Sequence, residues 1–294
     1  MGISEEMTDT LCRCHYRPDD HIRLMRFDFH PTTSGWRISE VNSDVPAGYP
    51  EASILPKLAA KYFEGYRQHG NLGDTLVDRF VRLLPPKSTI AYLHDTHTVE
   101  DYQILHFLGD LLEQHGYSSL YVGPSHLKWE NNEAFNIDAI MRYFPVEWLE
   151  FQKGVDWRSF INAKTPSCNH PIALLTQSKR LLLVWDELDV KLPFWKQLLP
   201  KTVCTTALAR TDGWICKPAF GRVGEGITIP GTMSDAGCTF GGDQSSGHVL
   251  CKCRTFFVDS AKYYVAYLSM GFRACGRCDC NRNDCSLSRY DCFL

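Results

Sequence analysis

Ser88-Thr89-Ile90-Ala91-Tyr92-Leu93, followed by His94-Asp95-Thr96-His97-Thr98, the run Val99 to Gln114, Gly116 and Ser118-Ser119-Leu120-Tyr121-Val122, is the stretch whose reading decides the fold. Two short apolar runs flank a segment with apolar residues at helical spacing, and a glycine stands where the helix should stop. That is a β–α–β unit. Such units build parallel sheets whose ligands bind at the loops following the strands. His94, Asp95 and His97 are therefore candidate polar residues, with a solvated loop capped by Thr96 or Thr98 as the plainer alternative. Upstream, Leu76 to Leu84 has helical character and Pro85-Pro86 ends it. Downstream, Ile137 to Tyr143 reads as another strand, with Asp138 and Arg142 four residues apart, and Trp148 and Trp157 read as packing residues. Thr176-Gln177-Ser178 breaks the chain after Leu174-Leu175, Lys179 to Leu188 is expected to be helical, and Pro193 to Pro200 reads as an amphipathic connection.

The N-terminal part has a different period. Met25, Phe27 and Phe29 alternate with Leu24, Arg26 and Asp28, the pattern of a half-buried strand. His30 to Gly35 reads as a turn. A second alternating run places Trp36, Ile38, Glu40 and Asn42 on one face and Arg37, Ser39 and Val41 on the other. A β-hairpin is expected, then a loop over Ser43 to Tyr49 and a helix over Glu51 to Gln68 carrying Ile54, Leu55, Leu58, Ala59 and Tyr62.

The 294 residues are 44% hydrophobic and 22% charged with a net charge of −3, enough for an ordinary core and unlike disordered, collagenous or coiled-coil chains. No long Lys/Arg run exists to hold nucleic acid or an anionic membrane. Met1 to Asp9 is polar, and no stretch approaches the ~18 apolar residues of a membrane span. A cytoplasmic protein acting on small molecules is expected. Of the 13 cysteines, five lie in residues 1–237 and eight in 238–294. In a reducing compartment these stay as thiols or bind metal.

Two constellations carry chemistry. On strands, side chains at i and i+2 share a face, so Arg26 and Asp28 point one way from the first strand, and Glu40 and Asn42 point one way from the second. If the register joins the pairs, one face holds a cation beside two carboxylates and an amide oxygen. That donor set suits Mg²⁺, which takes few protein ligands and completes its shell with phosphates and water. An arginine beside it could stabilise a transferring phosphoryl group. The alternative is a surface ion pair worth about 0–1 kcal/mol. The second constellation is Trp214-Ile215-Cys216-Lys217-Pro218-Ala219-Phe220-Gly221-Arg222-Val223-Gly224-Glu225-Gly226-Ile227, an apolar run, a lysine, a glycine-rich loop with one arginine, and a second apolar run. It has the layout of a strand–loop–strand flap over a polyphosphate, in which glycines let backbone N–H groups approach phosphate oxygens. A glycine-rich surface turn is the alternative. The sequence matches neither GxxxxGK[ST] nor GxGxxG.

Together these residues resemble the glutathionylspermidine synthase family of ATP-grasp carbon–nitrogen ligases. Arg26-Phe27-Asp28 with Glu40-Val41-Asn42-Ser43-Asp44 and Glu51-Ala52 is similar to its R-x-D…E-x-N-x-D…E-A signature. Lys217-Pro218 with Gly221-Arg222-Val223-Gly224 is similar to its KP-x-x-GR-x-G flap, and Gln177-Ser178-Lys179 to its ATP-contacting lysine segment. The resemblance implies an α/β fold with a Rossmann-like pre-ATP-grasp domain and an ATP-grasp-like domain. It implies Mg²⁺ held by Asp28, Glu40 and Asn42, and Arg26 at the transferring phosphate. ATP would be bound by Lys179, Lys217, Gly221, Arg222 and Gly224. The implied partners are a glutathione- or peptide-like acid and a polyamine-like amine, joined through an acyl phosphate. A non-catalytic binding protein on the same scaffold is the alternative.

The expected organisation is a hairpin unit over 1–50, a Rossmann-like domain over 51–165, an ATP-grasp-like part over 166–233 and a divergent Cys-rich tail over 234–294. The last glutamate is Glu225, and residues 238–294 contain no Glu, Pro, Trp or Ile. Cys275-Gly276-Arg277-Cys278 has zinc-ligand spacing without a second C-x-x-C. The change of composition favours a reading frame that shifts near residue 233 over a zinc module, which would leave the C-terminal part incomplete.

Overall fold

A computed structural model of the chain describes residues 3–32, 35–65, 68, 70–204, 214–222 and 226–227, and the backbone of 249–252 and 264–270. In chain order the elements are α1 (Glu5–Arg13), β1 (Arg23–Thr32), β2 (Gly35–Asn42), α2 (Tyr49–Ala59), α3 (Leu72–Leu83), β3 (Thr89–Leu93), α4 (Val99–Glu113) and β4 (Ser118–Val122). They continue with β5 (Trp129–Glu130), β6 (Glu133–Ala134), β7 (Ala139–Arg142), α5 (Val146–Leu149), α6 (Trp157–Ile161), β8 (Ser167–Cys168), α7 (Ala173–Gln177) and α8 (Pro193–Leu198). The strands β9 (Thr202–Cys204), β10 (Trp214–Lys217), β11 (Val249–Lys252) and β12 (Tyr264–Met270) complete the described strands and α-helices.

The β–α–β unit forms as its pattern requires. β4, β3, β7 and β8 make a parallel sheet in that order. Parallel strands covered on both faces need continuous apolar runs, and β3 has one. Ile90 and Tyr92 face a cluster with Leu76, Phe80, Leu105, Leu108 and Leu112 from α3 and α4. Ala91 and Leu93 face a second cluster with Met7, Leu11, Phe160 and Leu174. Asn71 caps α3, its side chain accepting from Gly73 N at 2.9 Å, and Gly116 follows α4 at φ +82°, a conformation glycine adopts without cost. α1 is an addition to the sequence reading: Ser4 caps it by accepting from Met7 N at 3.0 Å, and Met7 and Leu11 are buried. Strand β8 lies just past residue 165, so the sheet draws its last strand from beyond that boundary.

The hairpin β1–β2 forms an antiparallel sheet with β12 on the far side of β1. Both strands run further than the pattern indicates, so the segment His30 to Gly35 is largely strand rather than turn. A register shift falls between Asp28 and Phe29: Asp28 pairs with Glu40 but Phe29 pairs with Ile38, which leaves Ser39 as the extra residue of a bulge. One inserted residue inverts every side chain beyond it. Ile38 therefore turns to the Phe29 side and is buried, rather than sharing a face with Glu40 and Asn42 as strict alternation predicts.

Other expectations are corrected. The helix expected over Glu51 to Gln68 is α2, which ends at Ala59. It docks through Tyr49, whose hydroxyl donates to Ile104 O at 2.9 Å, and Ser53, whose hydroxyl accepts from Gly73 N at 2.8 Å. Ile54, Leu55, Leu58 and Tyr62 are exposed as a consequence. Lys179 to Leu183 is a 3-10 turn instead of the start of a helix reaching Leu188. Trp157 is buried, but Trp148 is half-exposed. β11 and β12 both come from beyond residue 233; β11 joins β10 and β9 in a third sheet. The flap's second apolar run beyond Ile227, and the cysteines Cys238, Cys253, Cys275, Cys278, Cys280, Cys285 and Cys292, lie outside the described residues. Among the described residues no helix is long and apolar enough to cross a membrane.

Candidate nucleotide and metal site

The register brings the first constellation together. Arg26 pairs with Asn42 and Asp28 with Glu40, so all four side chains leave one face of the hairpin. The guanidinium of Arg26 donates from Nε to Asp28 Oδ1 at 2.8 Å and from Nη2 to Oδ2 at 3.2 Å, and from Nη1 to the Ala47 carbonyl at 3.3 Å. Asn42 Nδ2 lies 3.5 Å from Asp28 Oδ2. On the neighbouring carboxylate, Lys179 Nζ stands 3.3 Å from Glu40 Oε1. Each carboxylate of this face thus has one cation.

The lysines reach the hairpin from separate segments. Lys217, the last residue of β10, donates from Nζ to the Ser39 carbonyl at 3.2 Å, using the acceptor that the bulge turns outward. Lys179 also donates from Nζ to the Gly221 carbonyl at 2.9 Å, and its backbone N–H donates to Ala219 O at 3.0 Å. Between these segments and the hairpin is a mostly apolar cavity of about 350 Å³. Met25, Phe27 and Val41 line it from the face of the hairpin opposite Arg26, Asp28 and Asn42, Leu181, Trp185 and Trp195 line it from the segments packed over it, and Glu40, Lys179 and Lys217 are its charged residues. A second cavity of about 510 Å³ shares Ser39, Trp185 and Lys217 with the first.

Arg222 is placed elsewhere. It donates from Nε and Nη2 to Glu147 Oε1 at 3.2 and 2.6 Å, and its Nη2 lies 3.6 Å from Asp44 Oδ2. Gly221 contributes its carbonyl to Lys179, and Gly224 lies outside the described residues.

The hairpin is aimed at the C-terminal edge of the parallel sheet by groups to which the sequence reading gave no such role. Asn169, just after β8, accepts from Leu24 N at 2.7 Å and donates to the carbonyls of Leu24, Ser43 and Asp44 at 2.8, 3.2 and 2.8 Å. Gln177 accepts from the N–H groups of Ser43 and Asp44 at 2.7 and 3.0 Å. Asp44 is fully buried; it takes Arg142 Nη2 on Oδ1 and the Val146 N–H on Oδ2 at 3.2 Å. Arg142 is the last residue of β7, so this pair fastens the motif loop to the sheet. Asp44 sits inside the quoted motif, which was its only sequence signal.

His94, Asp95 and His97 do follow β3 at that sheet edge. His94 is buried, and Asp95 Oδ1 accepts from the His97 N–H at 3.0 Å, which holds its carboxyl below the usual range. Nearby, burial and the charge of Asp95 push Asp101 up to about 6.

Among the described residues no group of three His, Cys, Asp or Glu side chains could hold a metal ion. Asp28, Glu40 and Asn42 offer two carboxylates and an amide, a set that fits Mg²⁺ when phosphate oxygens supply the rest of its octahedron.

Residues 1–267 match the family model described as "Glutathionylspermidine synthase preATP-grasp". The match continues past residue 233. Among solved structures the fold is similar to that of a glutathione synthetase-like effector from Globodera pallida in its apo form. The TM-score is 0.54 at 12% identity, over 84% of this chain and 65% of that one, so this chain spans about two thirds of that protein's length. No curated protein matches the chain.

Proposed function

The chain belongs to the glutathionylspermidine synthase family, and from that premise we propose that it binds ATP with Mg²⁺ and joins a carboxylate to an amine through an acyl phosphate. The observation that carries this reading is the apolar cavity of about 350 Å³ carrying Glu40, Lys179 and Lys217, against a hairpin whose other face presents Arg26, Asp28 and Asn42. An aromatic-lined pocket accepts a base, and two lysines at its wall neutralise phosphates.

In this reading Asp28, Glu40 and Asn42 would hold the metal, which would supply neutralisation of phosphate charge. Arg26, already beside Asp28, orients the transferring phosphoryl group and balances its charge. Lys179 exchanges its Glu40 contact for a phosphate, and Lys217 stays within reach of the same cavity. No side-chain nucleophile is required, because the substrate carboxylate attacks the γ-phosphorus of ATP and displaces ADP, and the amine then attacks the acyl carbon, losing a proton and releasing phosphate. The acid is glutathione- or peptide-like and the amine polyamine-like by family.

A second reading, a nucleotide- or partner-binding protein without turnover, draws on the same face: both carboxylates are neutralised internally by Arg26 and Lys179. Phosphate release with ATP, Mg²⁺, glutathione and spermidine separates the two. Release that needs both acid and amine supports the ligase; ATP binding with no release under any acid and amine supports the second reading.

A further inference from the structure

One line of alternating charge runs from the hairpin to the parallel sheet. Glu40 meets Lys179, Lys179 holds the Gly221 carbonyl, and the next residue, Arg222, meets Glu147 and Asp44, behind which lies Arg142. Glu147 belongs to α5 and is only 9% exposed. Two donors of Arg222 converge on its Oε1, at 3.2 and 2.6 Å, while among the described residues its Oε2 has no partner. Burial and the neighbouring Asp44 charge raise the Glu147 pKa, and Arg222 opposes that rise. A carboxylate buried with one oxygen unmatched is costly to keep, and its one strong contact is with the glycine-rich segment.

We propose that Glu147 is a positioning residue: by holding Arg222 it seats residues 218–222 against the Rossmann-like domain, so that Lys179 and Lys217 are placed before nucleotide arrives. The effect on nucleotide rests on the ligase reading; the contact itself does not. Apart from Arg222, the segment is held by the two Lys179 bonds, to Gly221 O and Ala219 O, by the burial of Ala219 and by Phe220 against the second core cluster. When the seated fraction falls, apparent affinity for any ligand that needs it falls in proportion.

Hydrogen exchange of peptides spanning 214–222, in the full chain without ligand, tests the contact. Glu147→Gln and Arg222→Gln should each speed exchange there, and the double variant should be no faster than the faster single variant, because both remove one shared interaction. A merely structural role for Glu147 would instead give additive changes. In ATP–Mg²⁺ titrations followed by thermal shift, Glu147→Gln should raise the midpoint concentration roughly tenfold if the seated fraction drops to a tenth. Unchanged exchange in Glu147→Gln, or single effects that sum in the double variant, overturns the proposal. Should Glu147→Gln fail to fold, faster exchange in the more exposed Arg222→Gln supports the contact and unchanged exchange there overturns it. If the unmodified chain shows no ATP-dependent stabilisation, the ligase reading fails while the exchange measurements still decide the role of Glu147.

Discussion

The side chains of Arg142 and Asp44 are 1% and 0% exposed, whereas those of Arg26 and Asp28, the same two residue types, are each 24% exposed. The first pair joins two elements 98 residues apart in sequence and finds further partners in Phe144 O, Asn169 O and the Val146 N–H. The second joins neighbours on one strand and is partly open to solvent. A buried pair whose remaining donors and acceptors are satisfied is part of the fold, and losing one member strands a charge in the interior. A half-open pair gains little stability; its groups are available to exchange partners with a ligand.

The largest expected effect breaks the buried pair. Asp44→Ala should destabilise the chain by about 3–5 kcal/mol, the usual consequence of stranding a buried charge, as measured by urea denaturation or by loss of soluble protein. A loss below 1 kcal/mol would erase the contrast between the pairs. An intermediate effect comes from the same buried layer. Tyr16, His21 and His170 pack ring against ring, with Arg23 and Arg142 nearby. Burial lowers His21 to about 4 and His170 to about 3. Unfolded histidines bind protons near pH 6.5 while the folded ones do not, so stability falls as pH drops from 6.5 toward 4. His170→Gln should remove one proton's share of that slope, about 1.4 kcal/mol per pH unit, in denaturation curves taken between pH 4.5 and 6.5. The smallest effect on stability belongs to the open pair. Arg26→Ala should change it by no more than about 1 kcal/mol in the same assay, yet abolish phosphate release.

The parts of the molecule differ in how plainly the sequence announces them. The sheet was legible at β3 and α4 because burial on both faces forces a continuous apolar run, and periodicity registers local burial directly. The pairing of Arg26 and Asp28 with Glu40 and Asn42 was legible for the same reason: alternation and a short connection leave few registers. Ser39 was not. A bulge adds one residue without changing residue type, so nothing in the pattern showed that Ile38 would turn inward. Asn169, Gln177 and Arg142 were also missed as partners of the motif loop, since each acts across roughly a hundred residues or more and single polar residues carry no period. Arg222 illustrates the converse case. The glycine-rich pattern marked it as a candidate phosphate contact, but a basic residue beside glycines cannot reveal that Glu147 from the Rossmann-like side and Asp44 from the motif loop are its partners.

The central claim is that Glu40 and Lys217 belong to an ATP–Mg²⁺ site at the hairpin. Thermal unfolding of the full chain with and without ATP and Mg²⁺, repeated for Glu40→Ala and Lys217→Ala, tests it most directly. The account predicts a rise in unfolding temperature that requires both ATP and Mg²⁺ and is lost in each variant. Stabilisation that persists undiminished in both variants would contradict it.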